Sequence, residues 1–205
     1  MLERLGMTSH RRAPLSARLR ASGGFSLLEV LLVVALIGIV SAIAIGVTPD
    51  IIRVAKGQSG AQQLSAFLKR HREMAVSRRR NIEITFTAPN VVSSVQRAVP
   101  DPPNPTPAPT PLETLYLEGD IEFRLFGGVP DTPDGFGNLA PVNLGGADPV
   151  MFTSEGSFTD VNGDPINAAL FMGIENQVNT ANALTIIGTT AAVRAWRWDG
   201  GRRVQ

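Results

Sequence analysis

From Phe25 to Val47 the chain is apolar without interruption, FSLLEVLLVVALIGIVSAIAIGV, with Glu29 as its sole ionisable residue and Ser26 and Ser41 as its other polar ones. A helix of that length extends about 35 Å, enough to cross a hydrocarbon core of about 30 Å, so the pattern predicts one membrane span. Pro49 follows the run and removes a ladder hydrogen bond, which predicts a bend or brief break near Thr48 and Pro49. From Ile51 to Arg80 the apolar residues Ile51, Ile52, Val54, Ala55, Ala61, Leu64, Phe67, Leu68, Met74 and Ala75 recur at helical spacing, with His71 at the edge of that face. This spacing predicts an amphipathic helix with one buried face, made locally flexible by Gly57, Ser59 and Gly60.

After Asn81 the period falls to two. Ile82-Glu83-Ile84-Thr85-Phe86 alternates strictly. Val91 to Val95, Leu115 to Leu117, Ile121 to Phe126, Ala168 to Met172, Ala183 to Ile187 and Val193 to Trp198 are further predicted strands. One long helix followed by short strands gives an α+β fold class, with antiparallel sheet packed on the apolar face of the helix. Two connections are long. Val99 to Pro111 holds seven of the fifteen prolines and reads as an extended surface excursion, while Gly127 to Pro149 reads as a loop that is either functional or mobile.

Composition changes this picture little until it is divided along the chain. With 205 residues, 19 Lys plus Arg against 18 Asp plus Glu and no cysteine, the chain is no basic nucleic-acid coat and no disulfide scaffold. It also offers no thiolate metal site and no cysteine nucleophile. The charge is uneven: Arg4, Arg11, Arg12, Arg18 and Arg20 oppose only Glu3 in the first 24 residues, leaving 14 basic and 17 acidic residues in the remainder. Arginines ahead of an apolar span stay cytoplasmic, which sends the residues after Val47 to the opposite side. A secretory signal cut after Ala42-Ile43-Ala44 fits less well, because the run exceeds the usual h-region of about 7–15 residues and contains an acid. An acid within a bilayer costs about 2.5–3.5 kcal/mol, so Glu29 requires a positive partner.

The segment Gly24-Phe25-Ser26-Leu27-Leu28-Glu29-Val30, with the apolar residues behind it, resembles the type IV prepilin processing motif. That resemblance implies cleavage between Gly24 and Phe25 by a prepilin peptidase/N-methyltransferase and methylation of the new amine at Phe25. It also gives Glu29 the role of the filament-assembly glutamate, paired with the Phe25 amine of its own or a neighbouring subunit. The implied fold is type IV pilin-like. Its parts are a cleaved leader over 1–24, a transmembrane and assembly helix over 25–48 and a periplasmic α+β domain over 49–205 interrupted by the Pro-rich insertion 99–111. Leu68 to Phe86, Val150 to Gly156 and Val193 to Val204 are similar to the helix end, a strand and turn, and the closing hairpin of minor pilins of the GspH/FimT type. The implied function is a minor pseudopilin of the type II secretion system, a structural subunit of a short filament that helps export folded proteins. The alternatives are a type IV pilus minor pilin and a FimT-like DNA-binding pilin. Partners would be other pilin or pseudopilin subunits and an inner-membrane assembly platform, and the location a single-pass inner-membrane protein with its leader cytoplasmic and its C-terminal domain periplasmic.

Catalytic and cofactor motifs are missing. No HExxH, GxSxG, Walker or dinucleotide pattern occurs, and His10 and His71 cannot form a catalytic set, so neither an enzyme nor a cofactor or metal protein is expected. Asp160-Val161-Asn162-Gly163-Asp164 has the alternating acids of a calcium loop, but Pro165 and Phe171 stand where such a loop needs glycine and glutamate, and a turn is expected instead. Lys69, Arg70, Arg72, Arg78, Arg79 and Arg80 read as a solvated helix face whose last cations favour the dipole. Arg194, Arg197, Arg202 and Arg203, interleaved with Trp196 and Trp198 around an Asp199-Gly200-Gly201 turn, are the residues that would contact DNA or another anionic partner. The competing expectation is an edge hairpin whose tryptophans pack on the sheet while the arginines protect its edge, and DNA is the less favoured partner.

Overall fold

The structure, a computed structural model, describes residues 25–97 and 108–205, with no side chains for 43–49. The leader with Gly24, and most of the Pro-rich insertion, lie outside the described residues. The first element is α1, Leu27–Arg78, 52 residues long. The interruption expected at Thr48 and Pro49 does not end it, because a proline forfeits one rung of the ladder and leaves its neighbours intact. At its C-terminus Arg79 takes φ +51°, the Arg79 N–H bonds the Val76 carbonyl at 3.2 Å and the Arg80 N–H reaches back to Ala75 at 3.0 Å. This is a Schellman cap formed without its usual glycine.

The chain divides into two compact units between Ile45 and Gly46. In the first unit the side chains from Phe25 to Val40 lie exposed on every side of the helix. Among the described residues no helix is long and apolar enough to cross a membrane. Of the expected span from Phe25 to Val47, residues 43–47 lie outside the described side chains.

In the second unit the strands form two antiparallel sheets. The strands are β1 Ile82–Thr87, β2 Val91–Gln96, β3 Thr110–Tyr116, β4 Ile121–Phe123, β5 Val142–Asn143, β6 Val150–Phe152, β7 Phe158–Thr159, β8 Ala168–Ile174, β9 Asn182–Ile187, β10 Ala192–Trp198 and β11 Arg203–Val204. One sheet runs β3-β2-β1-β6-β7 and the other β11-β10-β9-β8-β4, with β5 added to β8. Ala61, Leu64, Phe67, Leu68 and Ala75 of α1 share one core with Ile82, Ile84, Phe152, Phe158, Leu170, Met172, Leu184 and Ile186 from both sheets. Leu64, Phe67 and Leu68 are fully buried, each stabilising the fold by about 1.5–3 kcal/mol relative to exposure. The predicted face packs from Ala61 to Ala75, whereas Ile51, Ile52 and Ala55, expected on it, are exposed.

Three sequence expectations change. Gly57 and Gly60 are contact points and not a flexible joint: a Cβ on Gly57 would lie 2.9 Å from the Thr180 carbonyl oxygen, and one on Gly60 would run into Ile121 Cδ1. The expected strand Leu115 to Leu117 starts earlier, at Thr110, and Ile121 to Phe126 stops at Phe123. The segment from Gly127 to Pro149 contains β5 and is pinned, since Asp131 accepts the N–H groups of Thr132 and Gly137, both at 2.7 Å. Asp134 accepts bonds from Thr185 Oγ1 and Arg194 Nη1, both at 2.5 Å. With Leu125, Phe136 and Trp196 against Ala169, Phe171 and Ala183, this region covers the outer face of the second sheet.

Candidate assembly site

The N-terminal end of α1 is built by Ser26. Its Oγ accepts the Glu29 N–H at 3.1 Å, and its carbonyl accepts the N–H groups of Glu29 and Val30 at 3.0 and 3.1 Å. Ser26-Leu27-Leu28-Glu29 is the Ser-x-x-Glu spacing of a capping box, and it sets an acid in the first turn, where the helix dipole favours negative charge. That pattern is legible in the sequence. Phe25 stands just ahead of the cap with its side chain 78% exposed. Leu27, Leu28, Leu31, Leu32, Val34 and Leu36 are likewise uncovered. A helix that is apolar all round has to bury that surface in lipid or against other helices, and Glu29 sits at the end where an N-terminal amine would be closest.

The four C-terminal arginines have different surroundings. Asp199 organises the turn: its Oδ1 accepts the N–H groups of Gly201 and Arg202 at 2.9 and 2.8 Å. Those bonds, the Arg202 amide foremost, hold its carboxyl below the usual carboxylate range. β10 and β11 pair through Arg197 with Val204 and Trp198 with Arg203. Arg203 is buried, its Nε donates to the Pro130 carbonyl at 3.0 Å, and its guanidinium lies 5.2 Å from the Phe171 ring centre. Burial pulls its pKa below the ordinary arginine value. Arg194 is held by Asp134, while Arg197 and Arg202 are exposed. Arg203, the second arginine of the Arg202-Arg203 pair, is thus occupied within the head.

His71 is fully buried and not at the edge of the helix contact as expected. Its Nδ1 lies 2.8 Å from the Phe67 carbonyl oxygen, an acceptor only, so Nδ1 carries the proton. Nε2 faces Ser94 Oγ at 2.8 Å and Glu113 Oε2 at 3.8 Å. Burial lowers the His71 pKa against the opposing pull of the Phe67 carbonyl and the Glu113 carboxylate. His71 and Ser94 are buried while Glu113 reaches solvent, and the cluster fastens α1 to β2 and β3. The basic helix face is also tied down: Arg70 grips both Glu113 oxygens at 2.5 and 2.6 Å, Arg72 Nε reaches Gly156 O at 3.2 Å and Arg78 reaches Gln96 at 3.1 Å.

Among the described residues no group of three or more acids and histidines is placed to hold a metal ion. Asp160 instead closes a turn, accepting the N–H groups of Asn162 and Asp164 at 2.8 and 2.9 Å, and the Asp164 amide lowers its pKa most.

Residues 19–45 match the prokaryotic N-terminal methylation motif. The type IV minor pilin FimU of Pseudomonas aeruginosa is similar in structure, with 15% identity and a TM-score of 0.44 over 72% of this chain and 92% of that one. The minor pseudopilin EpsH of the Vibrio cholerae type 2 secretion system shows 11% identity and a TM-score of 0.44 over 69% of this chain and 97% of that one. No curated protein matches the chain. The methylation motif thus stands at the start of a long helix that leads into an antiparallel head.

Proposed function

We propose that the chain is a minor pseudopilin of a type II secretion system, processed between Gly24 and Phe25, methylated at Phe25 and assembled through its N-terminal helix. The observation that carries the reading is the all-round apolar surface of α1 from Leu27 to Ala42, within the methylation motif, with Glu29 as the single acid of that stretch. Such a surface needs neighbours of its own kind, and an acid within it needs a cation. The amine created at Phe25 is that cation. Domains follow as a discarded leader over 1–24, a membrane and assembly helix over 25–48 and a periplasmic head over 49–205. The resemblance of the helix end, of Val150 to Gly156 and of the closing hairpin to the GspH/FimT type supports a minor subunit of a secretion or pilus filament, and the deletion strain below decides between the two. The protein's role is structural, in the inner membrane, with a prepilin peptidase acting on it and other subunits beside it.

Two measurements test the reading. Mass spectrometry of the mature protein is expected to give an N-terminal methylated Phe25, and any other N-terminus would overturn the processing. A deletion strain is expected to lose export of folded proteins. Intact export with lost twitching would reassign the chain to a pilus, and intact export with lost DNA uptake to transformation.

A further inference from the structure

Charge is divided across the second sheet. β4 and β11 stand at its opposite ends, four strand spacings apart, or about 19 Å at about 4.8 Å each. At the β4 end Glu118, Asp120 and Glu175 are exposed, and Glu122 and Glu175 share Arg124 at 2.9 and 3.1 Å. The other cation there is Lys56, whose Cδ lies 3.3 Å from where a Cβ on Gly119 would stand. At the β11 end Arg197 and Arg202 are exposed, while the Asp199 carboxylate is spent on the amides of Gly201 and Arg202. Glu118, Asp120 and Arg197 have no ion-pair partner among the described residues. The helix shows that the two ends lie on opposite flanks of the head. Val54 lines a cavity with Arg197 and Asp199, whereas Lys56 stands against Gly119, and two helical residues point about 200° apart.

We propose that the acidic β4 end of one head docks on the basic β11 end of a second copy of this chain. Within one head the ends do not neutralise each other, because about 19 Å is more than twice the Debye length of about 8 Å at physiological ionic strength. A copy that abuts its own like flank is repelled. A copy set beside it in the same orientation brings carboxylates against guanidinium groups, and the free flanks can accept further copies. Such a head-to-tail contact closes as a ring or continues as a helical array. Both end strands are short, three residues in β4 and two in β11, so side chains make the contact and not strand addition. The inference rests on the filament reading above: exposed ion pairs are individually weak, and they count once α1 holds the heads at high local concentration.

The chain contains no cysteine, so single cysteines report which flanks meet. Glu118→Cys and Gly201→Cys leave Asp120, Glu175, Arg197 and Arg202 in place. They are carried on separately tagged full chains, co-expressed, recovered in membrane vesicles and linked with a short bismaleimide. The mixed pair is expected to link at least about tenfold faster than either like pair. That advantage is expected to vanish in about 0.5 M salt, and with Arg197→Glu/Arg202→Glu in the copy that carries Gly201→Cys. The salt arm, on unaltered arginines, keeps the test valid if the reversed variant misfolds. Two tagged Leu36→Cys copies, linked by oxidation in the same vesicles, report whether the helices gather. Linked helices with equal yields from mixed and like head pairs overturn this inference and leave the filament reading standing, whereas unlinked helices and heads overturn both. A mixed-pair advantage that survives high salt also overturns it, since the contact would not be electrostatic.

Discussion

At the scale of single residues, His71 shows how a polar side chain becomes part of the core. It reads as an amphipathic edge residue because nothing in its local sequence announces that Ser94 and Glu113, from two distant strands, close over it. Its buried ring is held neutral, with Nδ1–H on Phe67 and Nε2 toward Ser94. Because burial lowers its folded pKa below 6.5, the unfolded chain binds the proton more readily. Stability contributed by this group is complete above about pH 6.5 and is lost as pH falls toward the folded pKa, with a slope of at most about 1.4 kcal/mol per pH unit. Urea denaturation between pH 7.5 and 5 is expected to show a falling midpoint, and His71→Gln is expected to flatten that part of the curve. An identical slope in the variant would assign the acid sensitivity to other groups. The left-handed Arg79 was equally hidden: its conformation is imposed by the Schellman bonds to Val76 and Ala75, where sequence signals would have asked for glycine.

At the scale of elements, what was legible was what periodicity encodes. The change from helical spacing to alternation at Asn81 falls within a residue of β1, and Leu64, Phe67 and Leu68 mark the face of α1 that packs. β5 and β7 were not legible, since a two-residue strand has no period and exists only through its partner, whereas β11 was expected as the return of the hairpin around Asp199-Gly200-Gly201. The cover over the second sheet was missed for a similar reason: Asp134 works through Thr185 and Arg194, both distant in sequence. The helix glycines were misread as joints because propensity treats glycine as a cost, whereas at Gly57 the missing Cβ lets α1 approach Thr180. Replacing an exposed helical glycine by alanine ordinarily stabilises by about 1 kcal/mol. Gly57→Ala is expected to do the opposite, by about 1–3 kcal/mol, because the new atom meets a backbone oxygen. Gly60→Ala meets the movable end of Ile121 and is expected to cost less. Thermal unfolding of the two variants side by side decides this, and a stabilised Gly57→Ala would show that the close approach is not constraining.

At the scale of the whole molecule, charge and apolar surface are two parts of one arrangement. The five leader arginines that favour a cytoplasmic N-terminus disappear with the proposed cut after Gly24, and what remains holds 14 basic and 17 acidic residues. The same cut would create an amine at Phe25, one turn from Glu29, at the exposed apolar end of α1. Within Gly24–Val30 Glu29 has no cationic residue beside it; after the proposed cut each subunit would offer one amine and one carboxylate on a surface that has to be buried in lipid or against other helices. Removing one partner of a buried ion pair costs about 3–5 kcal/mol, more than a hundredfold in association. Glu29→Gln, which keeps the shape and removes the charge, is therefore expected to leave the head folded and the membrane fraction populated. Its recovery in cross-linked assemblies with other subunits should fall by at least that factor. Circular dichroism and membrane fractionation separate this outcome from misfolding. Normal incorporation of Glu29→Gln would mean that apolar packing alone sets the stagger of the helices, and Glu29 would then be reduced to the capping and dipole role it plays with Ser26.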